Sequence, residues 1–161
     1  MTTTQDELAG VVDLFGALTR SELTTALGEL AFKQGQDVDD SALRSAIEAA
    51  VAAYALVKYE PAGSDDGTET LIAVGPTAFS TLPSNAEDLP HILDFERRTV
   101  DRERLAAQVS QRLTSEAEAA VDADDTTRAA ELLDVSYDLE AWAAVDASGV
   151  RSRLEPVLPQ D

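Results

Sequence analysis

Five arginines, Arg97, Arg98, Arg102, Arg104 and Arg112, fall within the single window "ERRTVDRERLAAQVSQR", opposed there only by Glu96, Asp101 and Glu103. A guanidinium offers a planar fork of donors that fits phosphate or carboxylate, so a cluster of this kind can dock nucleic acid or an acidic protein surface. It is the one net-basic window in a chain with 31 acidic and 12 basic residues. The simpler account is a helix surface on which Arg97 with Asp101, and neighbours like them, form ion pairs of small worth. Arg44 is a sixth cation of interest. It stands in "DVDDSALRSAIEAAVAAYALVKYE", residues 37–60, on the face of a helix opposite its apolar stripe. Base readout needs Arg, Lys, Asn or Gln on such a face. Around Arg44 that face holds Ser41, Ser45, Glu48, Ala49 and Ala52, which are short or acidic.

Nothing else in the chain has the spacing of a catalytic or metal-binding motif. His91 is the only histidine, flanked by Pro90 and Ile92 without a second nucleophile or ligand at a recognisable interval, and a structural role is expected. "DADDTT", residues 122–127, lacks the glycine and terminal glutamate of a calcium loop and reads as helix capping. With no cysteine, thiol catalysis and cysteine-ligated metals are excluded. No glycine-rich phosphate loop, nucleophile elbow or HExxH is present. The expectation is a protein that is not an enzyme and has no catalytic residue, metal or cofactor. Tyr137 and Trp142, the chain's only Trp, lie in "VSYDLEAW" and are expected either to anchor the core or to form an aromatic contact for a protein partner.

The acids number 17 Asp and 14 Glu, the bases 10 Arg and only two Lys, for a formal net charge of -19. They are dispersed over segments that also carry regularly spaced apolar residues, which marks solvated faces of folded helices rather than an acidic tail. At about 1 M salt the Debye length is about 3 Å, so the self-repulsion of such a surface is screened in brine. An Asp- and Ala-rich chain with Arg in place of Lys resembles haloarchaeal proteins, and its whole length resembles an uncharacterised haloarchaeal family. That resemblance implies a salt-filled cytoplasm and supplies no activity. The start, "MTTTQDEL", lacks the regions of a signal peptide, and the longest apolar run, 49–57, falls well short of the ~20 residues that span a bilayer. A cytoplasmic protein with no membrane partner is expected.

The elements follow from periodicity. Thr4 with Glu7 and Thr19 with Glu22 have capping-box spacing, opening helices with stripes Leu8, Val11, Val12, Phe15 and Leu23, Ala26, Leu27, Leu30, Ala31, the second closed by Gly35. Asp39 or Asp40 caps a third helix with Leu43, Ile47, Ala50, Val51 and Tyr54 buried. "LVKYE" and "ETLIAVG" read as hairpin strands about a loop with Pro61, Gly63 and Gly67, and Leu18 is placed to add a short strand. This order resembles winged helix-turn-helix domains over residues 5–76. Residues 77–99 read as a proline-marked connector without sustained helix, pinned by Phe79 and Phe95. Residues 100–158 read as a helical hairpin, with stripes Leu105, Val109, Leu113, Ala117, Ala120, Val121 and Ala129, Ala130, Leu133, Tyr137. A short final helix follows, capped by Asp146 or Ser148 and carrying Val150, Leu154, Val157 and Leu158. The fold class expected is α+β, mostly α: a winged-helix-like domain with a C-terminal helical region packed on it. The function expected is a protein-interaction or regulatory module with an unknown protein partner; the alternative is a winged-helix DNA-binding transcriptional regulator.

Overall fold

The computed structural model describes residues 5–35, 39–61, 70–79, 86, 88–95 and 97–158. The chain is mostly helical with one small antiparallel sheet, an α+β arrangement. It divides into two compact units, Met1–Val100 and Asp101–Asp161.

In the first unit α1 (Gln5–Phe15) leads to strand β1 (Leu18–Thr19), α2 (Arg20–Lys33), α3 (Asp40–Ala52), the hairpin β2 (Leu56–Tyr59) and β3 (Leu71–Val74), and a short α4 (Leu89–Ile92). The sheet order is β1-β3-β2, with Leu18 opposite Ile72 and Lys58 also opposite Ile72 from the other side. The expected edge strand at Leu18 is therefore present. The second capping box is complete: Thr19 N–H donates to Glu22 Oε1 at 2.9 Å and Glu22 N–H to Thr19 Oγ1 at 3.0 Å. Asp39 caps α3, accepting from Ser41 N–H at 2.6 Å and Ala42 N–H at 3.2 Å. The Thr4 cap and the hairpin tip with Gly63 and Gly67 lie outside the described residues.

The apolar stripes of α1, α2 and α3 converge with Leu18, Leu56 and Ile72 in one core. α3 ends two residues before Tyr54, which is fully buried with φ of 64°, in the left-handed region. Tyr54 N–H donates to Val51 O and Ala55 N–H to Ala50 O, a reversal that satisfies the last carbonyls and turns the chain into β2. A residue other than glycine tolerates this conformation here because burial of the ring offsets the backbone cost of about 1–2 kcal/mol.

One reading of the connector is corrected. The connector has no sustained helix among its described residues, only the one-turn α4 with Pro90 in its first turn, and Leu89 and Ala86 join the core. Phe95 packs edge-on to Phe15 at 5.7 Å, as expected of an anchor, but Phe79 is 81% exposed, and its backbone N–H donates to Asp6 instead. His91 is exposed on α4.

The second unit holds α5 (Arg102–Asp122), α6 (Thr126–Trp142) and α7 (Ser148–Leu154), followed by a 3-10 turn, Glu155–Val157. Asp101 caps α5 and Asp125 caps α6, so "DADDTT" serves as the joint between two antiparallel helices, with Asp124 at φ 53° making the turn. The α5 stripe is as read, except that Val121 is only half-buried. The α6 stripe is not: Ala129, Leu132, Val135, Ser136 and Leu139 are buried, whereas Ala130 and Tyr137 are exposed. A register through Leu132 and Ser136 is favoured because the serine hydroxyl returns a hydrogen bond to Leu133 O, which removes the cost of burying it. α7 starts after Ala147, and Asp146 accepts from Ser148 N–H at 2.9 Å; Val150 and Leu154 are buried, Val157 and Leu158 half-buried.

Candidate functional site

Two surfaces carry chemistry, one in each unit. On the first, Arg20 opens α2 immediately after its capping Thr19, Arg44 stands on the exposed face of α3, and Lys58 is the outward residue of β2. A groove of about 160 Å³ is lined by Arg20, Thr24, Asp40, Arg44 and Ile47, and a second, of about 340 Å³, by Arg20, Lys58, Thr70 and Ile72. Arg20 is common to both, so three cations gather around it. Its guanidinium is paired with Glu48 of α3. Arg44 and Lys58 are exposed and have no ion-pair partner among the described residues. The helix-face argument singles out Arg44 alone. Arg20 and Lys58 come from elements far apart in sequence, and only the polar interruption of "LVKY" and the position after a capping threonine hint at their exposure.

The arginine window spans the two units, with Arg97 and Arg98 in the first and Arg102, Arg104 and Arg112 in the second. Arg97 is exposed, but Arg98 beside it is half-buried against α2: its Nη1 donates to Ala17 O at 3.2 Å and to Glu22 Oε1 at 2.6 Å. Its backbone N–H donates to Phe15 O at 2.8 Å. Burial pushes the Glu22 carboxyl up, but the hydrogen bonds from Arg98 and Thr19 outweigh it and hold Glu22 below its ordinary 4.5. Gly16, at φ 82°, makes room for this clasp, since a Cβ there would lie 1.9 Å from Arg98 O. Arg98 thus fastens the segment before α5 to Ala17 and Glu22.

Arg102, Arg104 and Arg112 belong to α5 in the second unit. Arg102 lies over the Trp142 ring at 4.7 Å, and Arg112 pairs with Glu116 one turn on. Glu116 also receives Arg128 of α6, Arg153 of α7 pairs with Glu118 of α5, and Arg151 of α7 forks onto Glu140 of α6 at 3.0 and 3.1 Å. Arg102, Arg128, Arg151 and Arg153 thus bind helix to helix.

The second surface surrounds Tyr137, which is 54% exposed and so is not a core side chain. The Arg151 guanidinium sits 4.5 Å from its ring centroid, fixed in turn by Glu140 and within 3.4 Å of Ser136 Oγ. The Arg151 hydrogen bonds, then that from Ala147 N–H, hold the Glu140 carboxyl below its ordinary value. Asp138 goes the other way: burial, and then the charge of Asp134 one turn back, raise it. Tyr137 is therefore an aromatic presented to solvent in a fixed pose. Trp142 is half-buried at the end of the same helix.

Among the described residues no group of three or more His, Asp or Glu is placed to hold a metal ion, and no helix is long and apolar enough to cross a membrane. A model of a family of unknown function (DUF7109) matches residues 6–159. The chain belongs to that family. No curated protein and no solved structure matched it.

Proposed function

We propose that this member of the family is a non-enzymatic regulatory module that works by docking a protein partner through the Tyr137 face of α6. The observation that carries the reading is the exposed ring with the Arg151 guanidinium stacked against it. Tyr and Arg are both enriched among residues that dominate interface energies, and the stacking restricts the ring before binding. The first unit, with the element order of a winged helix, then serves as the scaffold. The acid excess and the scarcity of lysine support a salt-rich haloarchaeal cytoplasm as the setting.

A second reading, a winged-helix regulator that binds DNA, is favoured by one observation: Arg20, Arg44 and Lys58 gather on the α2, α3 and β2 face. Against it, the other exposed positions of α3 are Asp40, Ser41, Ala42, Ser45, Glu48, Ala49 and Ala52, which supply no bidentate donor. In-cell crosslinking of the tagged chain in a haloarchaeal host, followed by parallel identification of DNA and protein, separates the two. The protein reading expects one stoichiometric partner, lost in Tyr137→Ala and kept in Arg44→Ala. Discrete DNA peaks lost with Arg44→Ala and indifferent to Tyr137→Ala would replace it with the second.

A further inference from the structure

We infer that the two grooves meeting at Arg20 form a binding site for a phosphate-bearing ligand, and that Glu48 is its built-in competitor. In a chain where acids outnumber bases 31 to 12, an exposed cation can readily find a carboxylate, yet Arg44 and Lys58 are left without one among the described residues. Both flank the one cation that the two grooves share. The Arg20–Glu48 pair marks where an oxyanion sits: a carboxylate oxygen already meets Arg20 Nη1, on side chains 38% and 59% exposed, so it can be displaced at little cost.

Charge and shape select phosphate over a carboxylate. Among the described residues, the three cations stand with two acids, Asp40 and Glu48, a surplus of one positive charge with the pair closed. If Glu48 swings out to water and a phosphate dianion takes its place on Arg20, the three positive charges of that described set meet one from Asp40 and two from the ligand, and the set is balanced. A planar carboxylate presents two oxygens along one direction; a tetrahedral phosphate on Arg20 also presents oxygens to Arg44 in the smaller groove or to Lys58 in the larger, and a diphosphate presents them to both. The larger groove, about 340 Å³, lies in the range of roughly 300–1,000 Å³ typical of small-ligand pockets, and so leaves room for the rest of the ligand. The phosphate belongs either to a free metabolite or to a nucleic-acid backbone. The inference shares its face with the DNA reading but does not depend on it.

The test titrates the full chain with inorganic pyrophosphate by calorimetry, and separately with a labelled 20-base-pair duplex. Both use the lowest KCl concentration at which circular dichroism shows it folded. Wild type, Glu48→Gln, Arg44→Gln and the double variant Arg44→Gln/Lys58→Gln are compared, all at exposed positions, with the melting curve of each confirming its fold. The expected result is pyrophosphate binding that tightens about fivefold or more in Glu48→Gln, because the competitor loses its charge. It should weaken about tenfold or more in the double variant, as two of three charge-assisted contacts go. Arg44→Gln alone should fall between. Duplex binding that follows the same order, and is displaced by pyrophosphate, assigns the phosphate to nucleic acid. Pyrophosphate binding without duplex binding assigns it to a free ligand and sinks the DNA reading while the site stands. Equal pyrophosphate affinity in all four proteins, or none in wild type and Glu48→Gln alike, overturns the inference.

Discussion

Arg102, Arg128, Arg151 and Arg153 of α5, α6 and α7 tie one helix to another, whereas Arg44 and Lys58 on α3 and β2 face solvent without an ion pair among the described residues. Both regions are built from the same acid-rich composition, so the difference lies in what each packs with. The second unit has three helices and no sheet among its described residues, and its apolar stripes are rich in alanine, as at Ala106, Ala117, Ala120 and Ala129. Small residues let helices approach closely but bury little area each, and at roughly 25 cal/mol per Å² such a core gains from Arg–Glu links at its rim. The first unit has Phe15, Tyr54, Ile47 and many leucines within, and on its α2, α3 and β2 face only Arg20 links one helix to another, through Glu48, whereas Arg44 and Lys58 do not among the described residues. Arg98 is the more buried exception there, a first-unit arginine used as a fastening.

That exception gives the sharpest way to break the comparison. Gly16→Ala would place a Cβ 1.9 Å from Arg98 O at a positive φ, and we expect a loss of about 3 kcal/mol in denaturant unfolding, the largest effect of any single methyl added to the first unit. Next, Arg98→Ala removes charge-assisted bonds to Glu22 and Ala17 O and should cost about 2 kcal/mol, whereas Arg44→Ala and Lys58→Ala should each stay within about 0.5 kcal/mol. Equal losses at Arg98 and Arg44 would erase the distinction between fastening and reserve.

Acid sharpens it further. The folded Glu22 carboxyl lies below its ordinary 4.5, so near that pH the unfolded chain binds more protons than the folded one. Its contribution is complete above about pH 4.5 and is lost as pH falls through the lowered folded value. A Glu22→Gln variant should be less stable at neutral pH and should show a shallower loss of stability on acidification, read from melting curves at stepped pH. The smallest effect is expected at Asp138, whose folded carboxyl is raised by burial and by Asp134. Its ionised form therefore costs stability at neutral pH, and Asp138→Asn should gain about 0.3 kcal/mol, the scale of a like-charge pair one turn apart.

What was legible in the sequence was local. The Thr19–Glu22 box, the Asp39 cap, the α3 stripe up to Val51 and the strand at Leu18 all follow from neighbours within a few residues, and each is present. The α6 register was not legible, because Ser136 looks too polar to bury until its hydroxyl is seen to bond Leu133 O, and Tyr137 looks too apolar to expose until Arg151 covers one face. The candidate sites were legible least. Arg97 and Arg98 are adjacent in sequence and have opposite exposures, while Arg20, Arg44 and Lys58 are dispersed in sequence and gather around two grooves. Charge patterning along a chain cannot register a cluster that only tertiary structure assembles.

The Arg98 clasp also bears on time rather than energy. It joins residues 76 apart, so the entropy of closing that loop favours its forming after the local helices and the hairpin. Contacts made after the rate-limiting step leave refolding speed alone and govern how fast the native state opens. On that ordering, Arg98→Ala is expected to speed opening of the first unit, and so shorten the time its cation face stays assembled, while leaving its refolding rate unchanged.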